Sequence, residues 1–330
     1  MRRRGLLVFG LWVVLLAGPM SGVRGDVVFV SSLGGDEVLR YDATTGVFID
    51  TFIPVANNGG LSQPHGILER CNDLLVCSFG TDSILIYDRQ SGAPIGVFAD
   101  ATSGLSQPTY IIYGPDGMVY VSSQGSDEIL RYTAGGAFVD AFVTAGSGGL
   151  NGPSGFAFGA DGRFYVAGRF SANVIAYDGM TGAFSEVIAS AADGLGAGNT
   201  FGLTFGDNGD LYFASAGVVF HYDLNSASIV NTIAVSAIGV EAGVSGGVFV
   251  ATGNNLRVID TADDSVSALF LNGGGVISTL NFFRFVAPTP PPDCTAPVPT
   301  VSTGGLALIA IVIFVAGAFV LRGPLSYGCV

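Results

Sequence analysis

Only two histidines occur in this chain of 330 residues, His65 and His221, and its candidate chemistry starts with them. His65 follows a proline at the start of a β-patterned run. An imidazole of near-neutral pKa there can serve as a base or a ligand, or be an ordinary surface or turn residue. His221 precedes Tyr222 inside a β-patterned run and reads as structural. Arg169, in a polar loop, could capture a carboxylate through its planar fork, or remain a solvated loop arginine. Asp82, Gln124, Tyr110, Ser154 and Asn199 complete the set of polar candidates. The acid pairs Asp36-Glu37 and Asp127-Glu128 share one repeat position, and the repeat alone explains them. Glycine runs such as 146–149 and 273–275 do not read as phosphate cradles, because no helix follows them.

What must position these residues is a repeat. An aromatic–acid pair or its relic recurs at Tyr41-Asp42, Tyr87-Asp88, Tyr132-Thr133, Tyr177-Asp178, Tyr222-Asp223 and Ile259-Asp260. The spacings are 46, 45, 45, 45 and 37 residues. A Pro-x-Gly-like start opens units at Pro64, Pro108 and Pro153, and Thr200-Phe201-Gly202 and Ala237-Ile238-Gly239 stand in the same place. The first internal turns, Asn72-Asp73, Asp116-Gly117, Asp161-Gly162, Asn208-Gly209 and Ser245-Gly246, tolerate the positive φ of two-residue hairpins. Each unit therefore reads as a four-stranded antiparallel meander. A period of about 45 residues with four strands is a propeller blade, and six anchors make six blades. The fold class is all-β, a six-bladed β-propeller. The first unit opens at Asp26 on its second strand, and a spare strand lies at Val276–Val286. The expectation is that this C-terminal strand closes the first blade and removes an open edge.

In such a ring the lead-in to the innermost strand and the loop between the second and third strands share one face, around the central channel. The lead-in positions are read as His65, Thr109, Ser154, Asn199 and Ser236, with Tyr110 beside Thr109. The loops add Asp82, Gln124 and Arg169. The expected ligand-binding set is therefore His65, Asp82, Tyr110, Gln124, Ser154, Arg169 and Asn199, with no catalytic residue assigned.

Within 26–287 there are 25 Asp plus Glu against 8 Arg, and the whole chain has no Lys. A net charge of -17 in that segment disfavours nucleic acid, which needs a basic surface. Cys71 and Cys77 share the second unit; with Asn72-Asp73 as the turn, Cys71 faces Leu74 and a bridge between the two cysteines is not favoured. Cys294 and Cys329 lie near the C-terminus, without a CxxC or metal-ligand spacing, and neither a metal nor a cofactor is expected.

Residues 1–25 read as a secretory signal, with Arg2-Arg3-Arg4 before a 13-residue apolar core. Residues 26–287 form the propeller, and 288–303 a proline-rich tether. Residues 304–321 are uncharged and apolar, long enough at about 1.5 Å per residue to span a bilayer as a helix. Residues 322–330 form a short cytoplasmic tail, leaving the propeller outside the cytoplasm.

Val298-Pro299-Thr300, the apolar segment and Arg322 resemble C-terminal sorting signals of the PEP-CTERM type, in the variant beginning Ile-Pro-Thr-Leu. Val298 and Val301 replace Ile and Leu, and no basic cluster follows Arg322. The resemblance implies an exosortase-type membrane peptidase as partner, beside the secretion translocon, and a surface or extracellular destination. A plain single-pass anchor through 304–321 is the alternative. The repeat resembles NHL-type propellers in its Pro-x-Gly start, Asp-Gly turn, Tyr-Val and Ile-x-x-Tyr ending. Two functions fit: a non-enzymatic surface scaffold binding an unknown ligand or protein, or a gluconolactonase-like or lyase-like enzyme. A convergence of His65 with two carboxylates at the channel mouth would favour the enzyme.

Overall fold

The computed structural model describes residues 27–286 except 44, 243–246, 254, 268–270 and 273–279, with 242, 271–272 and 280–286 as backbone alone. Blade 1 holds β1 (Val27–Ser32), β2 (Glu37–Asp42) and β3 (Phe48–Ile53). Blade 2 holds β4 (Pro64–Glu69), β5 (Asp73–Ser78), β6 (Ser83–Asp88) and β7 (Pro94–Ala99). Blade 3 holds β8 (Pro108–Tyr113), β9 (Val119–Ser123), β10 (Glu128–Tyr132) and β11 (Phe138–Val143). Blade 4 holds β12 (Pro153–Phe158), β13 (Arg163–Gly168), β14 (Asn173–Asp178) and β15 (Phe184–Ala189). Blade 5 holds β16 (Thr200–Phe205), β17 (Leu211–Ser215), β18 (Gly217–Asp223) and β19 (Ser228–Ala237). Blade 6 holds β20 (Gly239–Ala242), β21 (Gly247–Thr252), β22 (Asn255–Asp260) and β23 (Leu271–Asn272). The last strand, β24 (Leu280–Val286), pairs antiparallel with β1 and completes blade 1 as its innermost strand. The expected closure is therefore observed over Leu280–Val286, the part of 276–286 that is described.

The second strand of each blade is buried on both faces because both faces of a blade meet a neighbour, whereas the outermost strands β3, β7, β11, β15 and β19 are partly or largely exposed. Six buried clusters fill the six interfaces. One joins Phe29, Val38 and Phe52 of blade 1 to Ile67, Val76 and Tyr87 of blade 2. Another joins Phe249 and Leu256 of blade 6 to Val30 and Leu39 of blade 1, so the ring is closed by side chains as well as by β24.

The aromatic–acid pair divides its labour. In blades 2 and 4 its tyrosine points inward and fastens the connection between blades: Tyr87 Oη donates to the Asn58 carbonyl at 2.6 Å, and Tyr177 Oη to the Ser147 carbonyl at 2.8 Å. Its aspartate points outward and accepts backbone N–H groups of the following turn, Ser91 to Asp88 and Thr181 to Asp178, both at 2.8 Å.

The first internal turns of blades 3 and 4 differ from the two-residue expectation. Gly114 N–H bonds the Met118 carbonyl, and Gly159 N–H that of Arg163, so three residues form each loop, with Gly117 and Gly162 at φ 75° and 80°. In blade 2 the Arg70 N–H reaches Asp73, which places Cys71-Asn72, not Asn72-Asp73, at the tip. Glu69, not Cys71, pairs with Leu74. Cys77 is a buried free thiol and Cys71 is disulfide-bonded, so the two are not joined to each other.

Among the described residues there is no α-helix and none long and apolar enough to cross a membrane. The signal segment 1–25, the tether 288–303 and the expected span 304–321, with Val298, Pro299, Thr300 and Arg322, lie outside the described residues.

Candidate functional site

The innermost strands approach the axis closely because glycine recurs at their third position. A Cβ on Gly66 would lie 3.0 Å from the Tyr110 Cα, one on Gly155 would lie 2.7 Å from the Gly202 Cα, and one on Gly202 would lie 2.7 Å from the Val240 nitrogen. Blade 3 has Tyr110 at this position instead. Its ring packs edge-on against Phe156, and its hydroxyl donates to Glu241 Oε2 at 2.8 Å. Glu241 lies on β20 of blade 6, opposite blade 3 in the six-membered ring. The bond therefore crosses the central channel.

At the mouth, four loops start alike. The backbone N–H groups of Phe79, Gln124, Arg169 and Ala216 bond the carbonyls of Gln63, Gln107, Gly152 and Asn199. These bonds hold all four residues at one ring position. Arg169 reaches sideways from it: Nη1 donates to Gln124 Oε1 at 3.4 Å, and Nε to the Gly198 carbonyl at 3.2 Å. Its guanidinium carbon lies 4.8 Å from the Phe201 ring centroid and 5.4 Å from that of Phe170. His65 stacks on Phe79 with centroids 4.7 Å apart, and its Nδ1 lies 2.9 Å from the Gln63 carbonyl.

The electrostatics follow from burial. His65 is 5% exposed, and desolvation, with the nearby Arg169 charge adding to it, lowers its pKa to about 4. The imidazole is therefore neutral near pH 7. Burial also lowers the Arg169 pKa from its ordinary value. By contrast, Arg70 and Arg131 are raised, chiefly by the hydrogen bonds they donate to Asp73 and Asp140. Arg40, Arg70, Arg89, Arg131 and Arg163 all pair with carboxylates; among the described residues, none lies within ion-pair distance of Arg169.

Of the seven sequence-derived candidates, His65, Gln124 and Arg169 come together at the mouth, and Tyr110 lies across the channel. Asp82 is engaged in the framework: at φ 50° it accepts the Gln107 N–H at 2.7 Å, as Asp36 accepts Gln63 and Asp127 accepts Gly152. The Ser154 hydroxyl, 2% exposed, ties blade 4 to the carbonyls of Thr200 and Phe201 in blade 5. Asn199 is displaced from the lead-in position: Thr200 pairs with Ser215 as Pro153 pairs with Gly168, so Phe201 is the equivalent of His65 and Ser154. In blade 6 the equivalent is Ile238, not Ser236, because Gly239 pairs with Ala251. Phe201, Phe79, Phe170 and Glu241 are the residues that sequence reasoning missed. The Gly202 alignment could have revealed Phe201; nothing local announced Glu241.

His221 sits away from this face, 9% exposed, with Nε2 2.9 Å from Asp210 and Nδ1 2.8 Å from Asp264. Among the described residues, no group of three or more His, Cys, Asp or Glu is placed to hold a metal ion. The carboxylate cluster around His65 that would favour a gluconolactonase-like site is not assembled there.

The fold is that of a six-bladed β-propeller. The sequence matches no protein-family model and no curated protein sequence. Solved structures share the fold. A chain of a nidogen/laminin complex is 16% identical, with a TM-score of 0.60 over 78% of this chain and 97% of that one. A protein of unknown function from Bacteroides caccae is 15% identical, with a TM-score of 0.58 over 78% and 98%. A catalytically inactive virginiamycin B lyase from Staphylococcus aureus with quinupristin is 15% identical, with a TM-score of 0.50 over 69% and 75%. At these identities the likeness establishes the propeller and not an activity.

Proposed function

We infer that the chain is an exported, envelope-associated propeller that binds a ligand at its channel mouth and does not transform it. The observation that carries this reading is the mouth itself. A cationic guanidinium, a buried amide and a neutral imidazole are framed by Phe79, Phe170 and Phe201. Such groups orient and recognise; the carboxylates that would drive proton transfer beside them, such as Asp82, are engaged in holding blades together. The propeller found in a nidogen/laminin complex supports a binding role for this architecture. The export signal at 1–25 and the C-terminal 298–322 region argue for a surface address, through exosortase-type processing or a single-pass anchor.

The address is tested by intact-mass analysis of the protein recovered from its native envelope and medium. Loss of the first 25 residues and of everything beyond about Pro299 is the expected result. A membrane-confined mass retaining 304–330 replaces sorting by a simple anchor. An unprocessed chain in the cytoplasm overturns export.

A further inference from the structure

We propose that Arg169 and Gln124 form the anion-recognising half of a site at the channel mouth, taking an organic carboxylate that carries a flat apolar group; this rests on the binding reading above.

Two donors, on a buried and a half-buried side chain, point to it. Gln124 is 4% exposed, yet its amide nitrogen donates to no described residue, its Oε1 being the atom that meets Arg169. Arg169 uses Nε and Nη1, and its Nη2 donates to no described residue. An amide nitrogen and a guanidinium nitrogen, on side chains already in contact, can serve the two oxygens of one carboxylate. A bound carboxylate would accept from both nitrogens in place of water. The flanking rings supply the rest: Arg169 lies against Phe201 and against Phe170, which is 49% exposed and available to a flat group.

The chemistry separates a carboxylate from a phosphate. Phosphate sites draw on clusters of backbone N–H groups. Here the N–H groups that open the mouth loops, at Phe79, Gln124, Arg169 and Ala216, are held by lead-in carbonyls. One guanidinium remains, matched to one negative charge. The site is also local: the surrounding segment has 25 acids against 8 arginines, so a multiply charged anion meets a repulsive field.

The test is calorimetric titration of the full chain in detergent micelles with three probes that share a phenyl ring: benzoate, its neutral isostere benzamide, and the cation benzylammonium. Benzoate is expected to bind about tenfold or more tightly than the other two, a preference that Arg169→Gln abolishes and Arg169→Lys partly keeps. Gln124→Ala is the second variant, since Arg169 also holds the Gly198 carbonyl and its replacement could disturb folding. It should weaken benzoate several-fold with an unchanged thermal midpoint. Equal binding of benzamide and benzoate, both lost on Phe201→Ala, overturns the anion inference and leaves the mouth as a binding site. Benzoate binding untouched by Arg169→Gln and Gln124→Ala overturns the inference too. Binding of none of the three overturns both the inference and the mouth reading.

Discussion

At the scale of single residues, the two histidines are set to respond to pH in opposite directions. His65 titrates at about 4 when folded and near 6.5 when unfolded, because burial penalises its charged form. The unfolded chain then binds a proton that the folded one refuses. Stability is full above about pH 6.5 and falls as pH drops toward 4, by on the order of 3 kcal/mol in total. At His221 burial also acts to lower the pKa, but hydrogen bonds to Asp210 and Asp264 outweigh it and the pKa is raised. Its contribution is fully present below about pH 6.5 and is lost as pH rises through the folded-state value. Tyr212, stacked on the ring, and Asn231, bonded to Asp264, complete the surroundings. The expectation is that His65→Phe flattens the acid limb of a stability-versus-pH curve measured by urea unfolding. His221→Gln should cost most on the acid side of its folded-state pKa and progressively less above it. A curve with the same acid limb in His65→Phe would refute the assignment.

At the scale of elements, the decisive feature is how closely the innermost strands sit. Gly155→Ala would drive a methyl group to 2.7 Å from the backbone of Gly202 and Leu203. Neither strand can retreat, because each is pressed by the next around a closed ring. A loss of about 2 kcal/mol or more is expected, seen as a thermal midpoint lower by roughly 4–8 °C. Gly96, on the outermost strand β7, is the control: a Cβ there meets nothing within 4 Å, and its φ is not positive. Gly96→Ala should be neutral or gain about 0.5 kcal/mol. Similar losses at both positions would show that strand propensity, not axial crowding, sets the cost.

At the scale of the whole molecule, stability depends on closure. β24 supplies blade 1 with its innermost strand and joins the two ends of the repeat array in one sheet. Ending the chain at Asn272 leaves β1 with an open edge and blade 1 with three strands. The expected outcome is loss of the sharp cooperative melt and rapid proteolysis, checked by near-ultraviolet circular dichroism and limited trypsin digestion. Native-like protection in that variant would mean that the six side-chain interfaces hold the ring without the strand.

The sequence by itself determined the blade count, the strand order, the closing strand and the places of the turns, though not the length or tip of each turn. Each of these is written locally, in alternation, in Tyr-Asp endings and in Asp-Gly or Thr-Gly turns, and is repeated until chance is excluded. It also marked His65, Gln124 and Arg169 as occupants of one face, because repeat phase assigns loops to faces. The lead-in of blade 5 was misread as Asn199 where the proline is missing and only pairing to Ser215 fixes the register. Only the tertiary structure decided which candidates meet. Tyr110 and Glu241 are 131 residues apart, and Arg169 and Gln124 are 45 apart. Whether such side chains touch depends on how six blades rotate about an axis and how near glycine lets their strands come. No local pattern contains that geometry. The same geometry turned Asp82 and Ser154 from site candidates into ties between blades, since a polar side chain at a blade interface is satisfied by the neighbouring backbone before any ligand arrives.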